Sequence, residues 1–373
     1  FFIGFWMIAP ILIPFYRSNG LNATQVFTVQ AIFLTSVLIF EIPSGYLSDV
    51  IGRRKTLILS SMALPIGLCI YAFSYGFWGF AMAECVLGVA VSLWSGTDSA
   101  LIYDTLVEMG REAEYKQFEG KASFFHRVGD SISSVLGGLF AVISLRLPFY
   151  INIGTALILI PLAVLLVEPE RKKLAAETPF EEIMKIFKYC MTHAQMRTLV
   201  MYWSLLFSSG MIGVWSYYIY YGELDINIGF YGIIFAIFCL CSAYGSRQAH
   251  LLERKFGEAG SLYFLLLISP VFIALGQVKS IFMLPFIFLN AFIWGFSRPL
   301  FADYVNRLVE SDIRATVLSV ANMLGSLSFV ILSPVFGRLV DSHSLSFAYI
   351  TLGAFFLLVG LLSLFLLHKH RVV

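Results

Sequence analysis

Residues 45–57, GYLSDVIGRRKTL, stand between two long apolar runs, at residues 24–48 and 56–75. Each run has about the 20 residues that an α-helix needs to cross a bilayer core of about 30 Å. The three consecutive basic residues Arg53, Arg54 and Lys55 are typical of a loop at the membrane surface, where Lys and Arg collect on the cytoplasmic side. The stretch therefore predicts a short charged connection between two membrane-spanning helices.

The rest of the chain repeats this pattern. Of its 373 residues 59% are hydrophobic and only 13% are charged, whereas a water-soluble domain carries about 25% charged residues. Lipid must therefore be the solvent for most of its surface. Apolar runs fall at residues 1–16, 24–48, 56–75, 77–105, 119–144, 147–167, 197–221, 227–248, 259–277, 281–305, 315–339 and 346–368. They predict an all-α polytopic membrane protein with twelve transmembrane helices, called spans 1 to 12 below.

The longest polar stretch lies midway along the chain, at residues 168–195. It predicts two six-span bundles, residues 1–167 and 197–373, joined by a linker at 168–196. Inside the linker, Thr178, Pro179 and Glu181 have the spacing of a helix start with a capping box. Apolar residues then recur on one face from 180 to 191, with Glu and Lys on the other. This pattern predicts an amphipathic helix that lies on the membrane surface or packs on the ends of the bundle.

The basic residues predict the orientation of the spans. With the loop after span 2 placed in the cytoplasm, nineteen of the 25 Lys and Arg residues fall on that side. Four fall outside and two, Arg127 and Arg298, lie within spans. The expected location is a bacterial inner membrane with both termini cytoplasmic.

Several classes of protein are disfavoured by the composition. A net charge of +2 gives no support for binding nucleic acid. The five cysteines lack metal-site spacing with His and are interpreted as reduced packing residues. No Gly-rich Lys-Ser/Thr phosphate loop, nucleophile elbow with its partners or repeated filter sequence stands out. We therefore expect no cofactor, no metal, no enzyme activity and no ion channel.

The residues before the basic triplet have a spacing of their own. Glu41, Gly45 and Asp49 lie four apart and so share one helix face. Gly45 would let another backbone approach closely, as small residues do between membrane helices. Asp49 would sit against the positive end of a neighbouring helix.

The stretch at 45–57 resembles the signature loop of the major facilitator superfamily, in which Gly, Asp, Gly and two basic residues recur between spans 2 and 3. Val50 departs from the pattern, where the family usually has a first Arg. The resemblance covers the whole chain and implies two pseudo-symmetric six-helix bundles. It also implies an inner gate of Asp49 against span 11, with Gly52 in the loop and Arg53 paired to an acid of span 4, here Asp104.

Two further family motifs are present in altered form, one tied to proton transfer and one resembling the antiporter motif of drug exporters. Span 4 has Glu84 four residues before Gly88, where the family motif tied to proton transfer has Arg. A glutamate can carry a proton itself, although Glu84 lies near the outer end of the span and could simply be solvated. Span 5 has Gly129 and the pair Gly137–Gly138 of the antiporter motif, but two serines replace its Gly-Pro. The glycines could therefore serve close packing alone.

Charged residues within spans 4 and 5 need partners, because a charge at mid-bilayer costs about 2.5–3.5 kcal/mol on insertion scales. Asp98 and Arg127 fall at similar depth, and Asp130 is three residues from Arg127, so the three could form one cluster. The cluster could either fix span 4 against span 5 or hold an aspartate as a proton site. His126 is a possible relay or a packing residue.

The resemblance implies that spans 1, 4, 7 and 10 line a central cavity. Arg298 in span 10 could bind an anionic group there or pair with Asp98, and Pro299 predicts a kink beside it. Asn290 and Asn322 could donate to a substrate or join helices. The aromatic candidates for the cavity, which suit an amphipathic substrate but could instead face lipid, are Trp6, Trp94, Tyr103, Trp215, Tyr217, Tyr218 and Trp294.

These features predict a monomeric secondary transporter that works by alternating access in the lipid bilayer. The first expectation is proton-coupled export of a small amphipathic molecule. The alternative within transport is uptake of an anionic nutrient or metal chelate through Arg298. The alternative from another class is a non-transporting receptor on the same fold.

Overall fold

The computed structural model describes residues 4–169, 179–310 and 313–369 of the chain. Helices make up nearly all of these segments, and no strand occurs among them. Nine helical segments of the described chain are long and apolar enough to cross a membrane. They are Ala23–Ile51, Arg53–Phe73, Phe77–Glu108, Leu147–Leu165, Ala194–Glu223, Ile228–Leu265, Ile281–Leu308, Thr316–Ser342 and Leu345–Lys369.

The α-helices are numbered in chain order. The first seven are α1 Leu12–Ser18, α2 Ala23–Ile51, α3 Arg53–Phe73, α4 Phe77–Trp94, α5 Thr97–Glu108, α6 Tyr115–Ile143 and α7 Leu147–Leu165. The other seven are α8 Pro179–Thr192, α9 Ala194–Glu223, α10 Tyr231–Leu265, α11 Ile268–Gln277, α12 Leu284–Leu308, α13 Arg314–Ser342 and α14 Leu345–Lys369.

All twelve predicted spans contain helix, but three of them are not long or apolar enough to count among the nine. Span 1 is helical only over Ala9–Ile11 and α1. Span 5 is α6, whose 29 residues are long enough but whose charged and polar side chains lower its mean hydropathy. Span 9 is divided, because its first turns are continuous with α10 beyond Gly257 and its remainder is α11.

The described residues form two compact units. Unit 1 contains residues 4–21, 32–169 and 227–235, and unit 2 contains residues 22–31, 179–226, 236–310 and 313–369. In each unit one end of the helices carries most of the charged loops: Arg53 and Arg111 mark it in unit 1, and Arg254 and Arg307 mark it in unit 2. We call this the basic end of each unit, and the other the opposite end.

Span 4 differs from its prediction as one continuous helix. Two helices, α4 and α5, follow each other, and Gly96 between them has a left-handed backbone with φ +76°. Glycine adopts this conformation without the steric cost that a Cβ would bring. The interruption places Asp98 in the first turn of α5.

Close backbone contacts hold α6 in unit 1. A Cβ at Gly137 would overlap the carbonyl oxygen of Met7, and one at Gly232 would overlap that of Ser134. A Cβ at Gly138 would lie 3.0 Å from the backbone nitrogen of Gly232, a close approach of the kind that small residues permit between membrane helices. The antiporter-like pair Gly137–Gly138 of span 5 therefore does serve close packing.

The amphipathic helix predicted in the linker is α8. Its residues Ile186 and Cys190 are buried in an apolar cluster of unit 2 together with Met196, Leu199 and Val200. Of the two predicted arrangements, the structure therefore contains the one in which the helix packs on the bundle. Its capping residue Thr178 lies outside the described residues.

Burial gives Cys190 a testable chemical property. It raises the pKa of the Cys190 thiol to about 11, and only the thiolate form reacts with alkylating reagents. At pH 8 we expect Cys190 in the folded protein to be alkylated on the order of 100-fold more slowly than in the unfolded chain, whose thiol pKa is about 8.5. Peptide mass spectrometry after timed labelling measures both rates. Equal rates in folded and unfolded protein would contradict the burial of α8.

Candidate functional site

A buried carboxylate with two tyrosine hydroxyls lies near the opposite end of unit 1. Glu84 is only 4% exposed. Its Oε1 accepts hydrogen bonds from the hydroxyls of Tyr16 at 2.9 Å and Tyr71 at 2.5 Å. The two hydroxyls also contact each other. The sequence left open whether Glu84 is solvated, and the structure shows that it is not.

The residues around this acid are apolar aromatics. Phe80 packs against the rings of Tyr16 and Tyr71, with centroids 5.2 and 5.7 Å apart, and Phe149 lies 5.5 Å from the ring of Tyr71. Phe15 bridges Phe80 and Phe149. A carboxyl group in such surroundings depends on its few polar partners, because burial of a charge without partners is costly. Glu84, Tyr16 and Tyr71 are called the Glu84 cluster below.

The elements that form the Glu84 cluster are separate in sequence. Tyr16 is in α1, Tyr71 is near the end of α3, and Glu84 is in the second turn of α4. The sequence analysis identified Glu84 but missed both tyrosines. A tyrosine in an apolar run is common near membrane interfaces, so no sequence signal distinguished these two.

The basic end of unit 1 contains the ion pair predicted between span 3 and span 4. Arg53 Nε lies 3.2 Å from Asp104 Oδ2, and Arg53 also donates to Ser48 Oγ at 3.1 Å. Asp49 Oδ1 is 3.0 Å from the same guanidinium. Arg53 therefore links the end of α2 to α5 through two carboxylates and a hydroxyl.

Glu168 completes this end of the unit, and the sequence analysis did not predict its role. Its two carboxylate oxygens accept the backbone N–H groups of Arg53 at 2.8 Å and Arg54 at 2.7 Å. These are unpaired donors at the positive end of α3. Gly52, with φ +110°, admits the carboxylate, since a Cβ there would lie 2.8 Å from Glu168 Oε1. Glu168 therefore caps the transmembrane helix α3, although its place in the linker gave no sign of this role.

Gly45 has no close neighbour in this structure. A Cβ at Gly45 would have no atom within 4 Å among the described residues, so the glycine is not used for close approach here. Glu41 and Asp49 on the same face are also exposed. The three residues share a face as predicted, but the described part of unit 1 places nothing against Gly45.

Unit 2 has its own charged network at the basic end. Arg307 in α12 pairs with Asp303 at 2.5 Å and with Glu253 at 3.3 Å, and it also contacts Glu258. This network joins α12 to the loop region of α10. This pairing was not predicted from the sequence.

The residues predicted as a charge cluster in spans 4 and 5 are not joined by ion pairs. Arg127 is exposed, and within the described chain no ion pair within 4 Å connects it to Asp98 or Asp130. Asp98 accepts the N–H of Ser99 at 2.8 Å, within its own helical turn. The three residues are therefore not bonded into one ion-paired cluster in this structure. His126 is stacked parallel to Trp94.

A polar and aromatic contact joins α9 and α12 in unit 2. Asn290 is 2% exposed, and its amide nitrogen donates to the Tyr217 hydroxyl. One turn further along α12, Trp294 packs directly on Gly210 of α9. The Oδ1 of Asn290 and the Nε1 of Trp294 are buried and have no hydrogen-bond partner among the described residues. Asn322 accepts from Trp203 Nε1 at 3.3 Å, so both predicted amides join helices.

The other predicted cavity residues differ in exposure. Tyr218 is buried and packs edge to face on Tyr221. Trp6, Trp94 and Trp215 are half-buried, whereas Tyr103 and Arg298 are exposed. Trp215 has a buried indole N–H without a partner in the described chain.

Comparison with known proteins agrees with this architecture. The sequence model of the Major Facilitator Superfamily matches residues 1–333. Quinolone resistance protein NorA of Staphylococcus aureus (strain MRSA252) is 21% identical over 390 residues, covering 99% of this chain and 94% of NorA. The class H tetracycline resistance protein of Pasteurella multocida is 22% identical over 368 residues, covering 92% and 87% of the two chains.

Solved structures show the same fold at low identity. The nucleoside transporter NupG superimposes with a TM-score of 0.78 at 14% identity, covering 99% of this chain and 96% of NupG. A bacterial homolog of the human lysosomal transporter Spinster gives 0.71 at 14% identity, covering 99% and 94%. The chain thus has the fold of a multi-pass membrane transporter and is not an enzyme. It belongs to the major facilitator superfamily.

Proposed function

We propose that this protein exports a small amphipathic compound from a bacterial cytoplasm in exchange for protons. The observation that carries the proposal is the Glu84 cluster, a carboxyl group buried among aromatics with hydroxyl partners. Such a group changes its preference for a proton when its surroundings change. Alternating access supplies that change, because each cycle exposes buried groups to one side and then the other.

The orientation of the chain supports a role for Glu84 in export. We place the basic end of each unit in the cytoplasm, because Lys and Arg are retained on that side of the membrane. Glu84 then lies near the outer end of α4, with Tyr16 at the outer end of α1 and Tyr71 at that of α3. An acid on the outer side can receive a proton from outside, which is the direction in which protons drive export.

The indole and amide groups support an amphipathic substrate. Trp215 and Trp294 each present a buried N–H without a partner in the described chain. An aromatic compound with a few hydrogen-bond acceptors can stack on such rings and accept from them. NorA and the class H protein are named for resistance to quinolones and to tetracycline, and both drugs are compounds of this kind.

The gating roles of the loop residues are part of the same proposal. Arg53 with Asp104, and Asp49 with Gly52, would form the inner gate, and Glu41 and Gly45 would share its face. The contact between Arg53 and Asp104 holds α3 on α5 at the basic end. Proton coupling through Asp98, Arg127 and Asp130 is a second possibility for the energy source, since Asp98 and Asp130 are half-buried carboxyl groups.

Reconstituted protein tests the function directly. Proteoliposomes with an acidic lumen are given a quinolone or tetracycline, and protein-free liposomes define passive accumulation. We expect accumulation above that level, lost on adding a proton ionophore. Accumulation that does not depend on the gradient would refute proton coupling, and none for either compound would refute the substrate class. Comparing Glu84→Gln with Asp98→Asn and Asp130→Asn identifies the coupling acid.

The alternative, uptake of an anionic nutrient, rests on Arg298. Its exposed guanidinium lies one turn from Trp294 on α12, where a cation could bind a carboxylate or phosphate group. Uptake predicts transport in the opposite direction relative to the proton gradient. It also predicts that Arg298→Ala abolishes transport, whereas export of an uncharged aromatic compound tolerates this change.

A further inference from the structure

One carboxylate bonds the last turn of α13 to the first turn of α2. Asp341 Oδ1 accepts the backbone N–H of Ala23 at 2.9 Å. Its Oδ2 accepts both the backbone N–H and the hydroxyl of Thr24, each at 2.7 Å. The first N–H groups of an α-helix have no partner inside the helix and form its positive end. Asp341 therefore supplies charge and acceptors to a helix that lies far from it in sequence.

The first N–H groups of α2 are not all paired by residues of α2 itself, and the Asp341 carboxylate pairs the remaining ones. A local capping box joins Asn22 and Gln25: Asn22 Oδ1 accepts the N–H of Gln25 at 2.8 Å, and Gln25 Oε1 accepts the N–H of Asn22 at 3.1 Å. This box does not reach the N–H groups of Ala23 and Thr24. Asp341 accepts from both.

The backbones of the two helices touch beside these bonds. Gly337 lies one turn before Asp341 on α13, and a Cβ there would be 2.7 Å from the carbonyl oxygen of Ala23. Phe27 and Phe336 pack edge to face with centroids 5.1 Å apart. The contact is thus a built interface with a polar end, a glycine and an aromatic pair.

The helix α2 is divided between the two units. Residues 22–31 belong to unit 2, whereas residues 32–51 belong to unit 1. Sharp bends in helices need Pro, a Gly/Ser pair or a bulge, and α2 has neither Pro nor Gly before Pro43. A movement of unit 1 therefore carries the start of α2 with it more easily than it bends the helix.

We propose that Asp341 is a releasable latch, which holds the start of α2 on α13 in this state and lets go of Ala23 and Thr24 when the transporter opens at the opposite end. The inference rests on the alternating access of the proposed function. Asp341 is exposed, so water can replace its three hydrogen bonds on release, and the net gain from such bonds is small. A contact of this strength suits a step that repeats in every cycle.

A disulfide across the contact tests whether release is required. The double variant Thr24→Cys with Asp341→Cys, on a background with the native cysteines replaced by serine, is reconstituted and assayed with tetracycline. We expect oxidation to stop transport and a reductant to restore it. Each single cysteine variant, treated with the same oxidant, controls for other effects. Unchanged transport after complete cross-linking would overturn the proposal.

A second measurement does not depend on transport. Ala31 is 4% exposed in this state and is replaced by Cys as a reporter. The new thiol is labelled in cells with a membrane-impermeant maleimide. We expect Asp341→Asn to raise the labelling rate about tenfold, equivalent to about 1.4 kcal/mol in favour of the open form. The control Glu223→Gln removes a carboxylate at the same end, which pairs with Lys279 at 2.6 Å, and should leave the rate unchanged.

The two measurements separate the latch from the proposed function. If Asp341→Asn folds with an unchanged melting temperature and labels at the original rate, the latch is refuted whatever the protein transports. If labelling rises while transport ignores the proton gradient, the latch stands and proton coupling fails.

Discussion

We expect the Glu84→Gln variant to lose the response of transport to a proton gradient. Its transport rate with a gradient should equal the rate measured without a gradient. Gln keeps the size and polarity of the side chain but cannot carry a proton. It still accepts from the hydroxyls of Tyr16 and Tyr71, which donate to Glu84 at 2.9 and 2.5 Å. The variant should therefore fold, with a loss of stability of about 1–2 kcal/mol for weaker hydrogen bonds. Flux in proteoliposomes with and without a gradient measures the effect.

Two further substitutions distinguish proton transfer from packing. Tyr71→Phe leaves Glu84 with one fewer donor and should change the pH dependence of transport. Tyr349→Phe is the matched control, because Tyr349 is also fully buried and bonds to Ser216 Oγ at 3.1 Å, but in unit 2. It should lower stability and leave the pH profile as it is. If the Glu84→Gln variant transports in a proton gradient as fast as the unsubstituted protein, Glu84 is not the coupling group.

Substituting Gly295 with Ala should have the largest effect on stability. A Cβ at Gly295 in α12 would overlap the carbonyl oxygen of Ser242 in α10, and a backbone atom cannot move aside as a flexible side chain can. We expect a loss of about 3 kcal/mol, at the upper end of overpacking costs, seen as a lower melting temperature in detergent and less folded protein in membranes.

The matched control is a glycine in open space. Gly154 in α7 is exposed, and a Cβ there would have no atom within 4 Å among the described residues. Gly154→Ala should leave stability unchanged or raise it by up to about 1 kcal/mol, because Ala favours the helix more than Gly does. A similar melting temperature for both variants would show that α10 and α12 are not in backbone contact.

Much of the candidate site follows from residue type and spacing. The pairing of Arg53 with Asp104 was implied by the resemblance to the major facilitator superfamily, and the two side chains do form an ion pair. Glu84 was identified because it stands four residues before Gly88, where the resembling family motif has Arg. Asp98, Arg127 and Asp130 are not joined by ion pairs in this structure, because similar depth alone does not bring side chains into contact. Gly45 has open space beside it here, since a small residue permits a close neighbour without supplying one.

The sequence by itself determined the class of this protein: long apolar runs with few charges require lipid around them and helices within it, since the backbone must bond to itself there. The tertiary structure alone decided which polar groups meet. Tyr16 and Tyr71 reach Glu84 from two other helices, Glu168 caps α3 from the end of α7, and Asp341 caps α2 from α13. The sequence shows that a helix start or a buried acid needs a polar partner, but many polar residues could be that partner. Only the packing of the helices brings one of them within 3 Å.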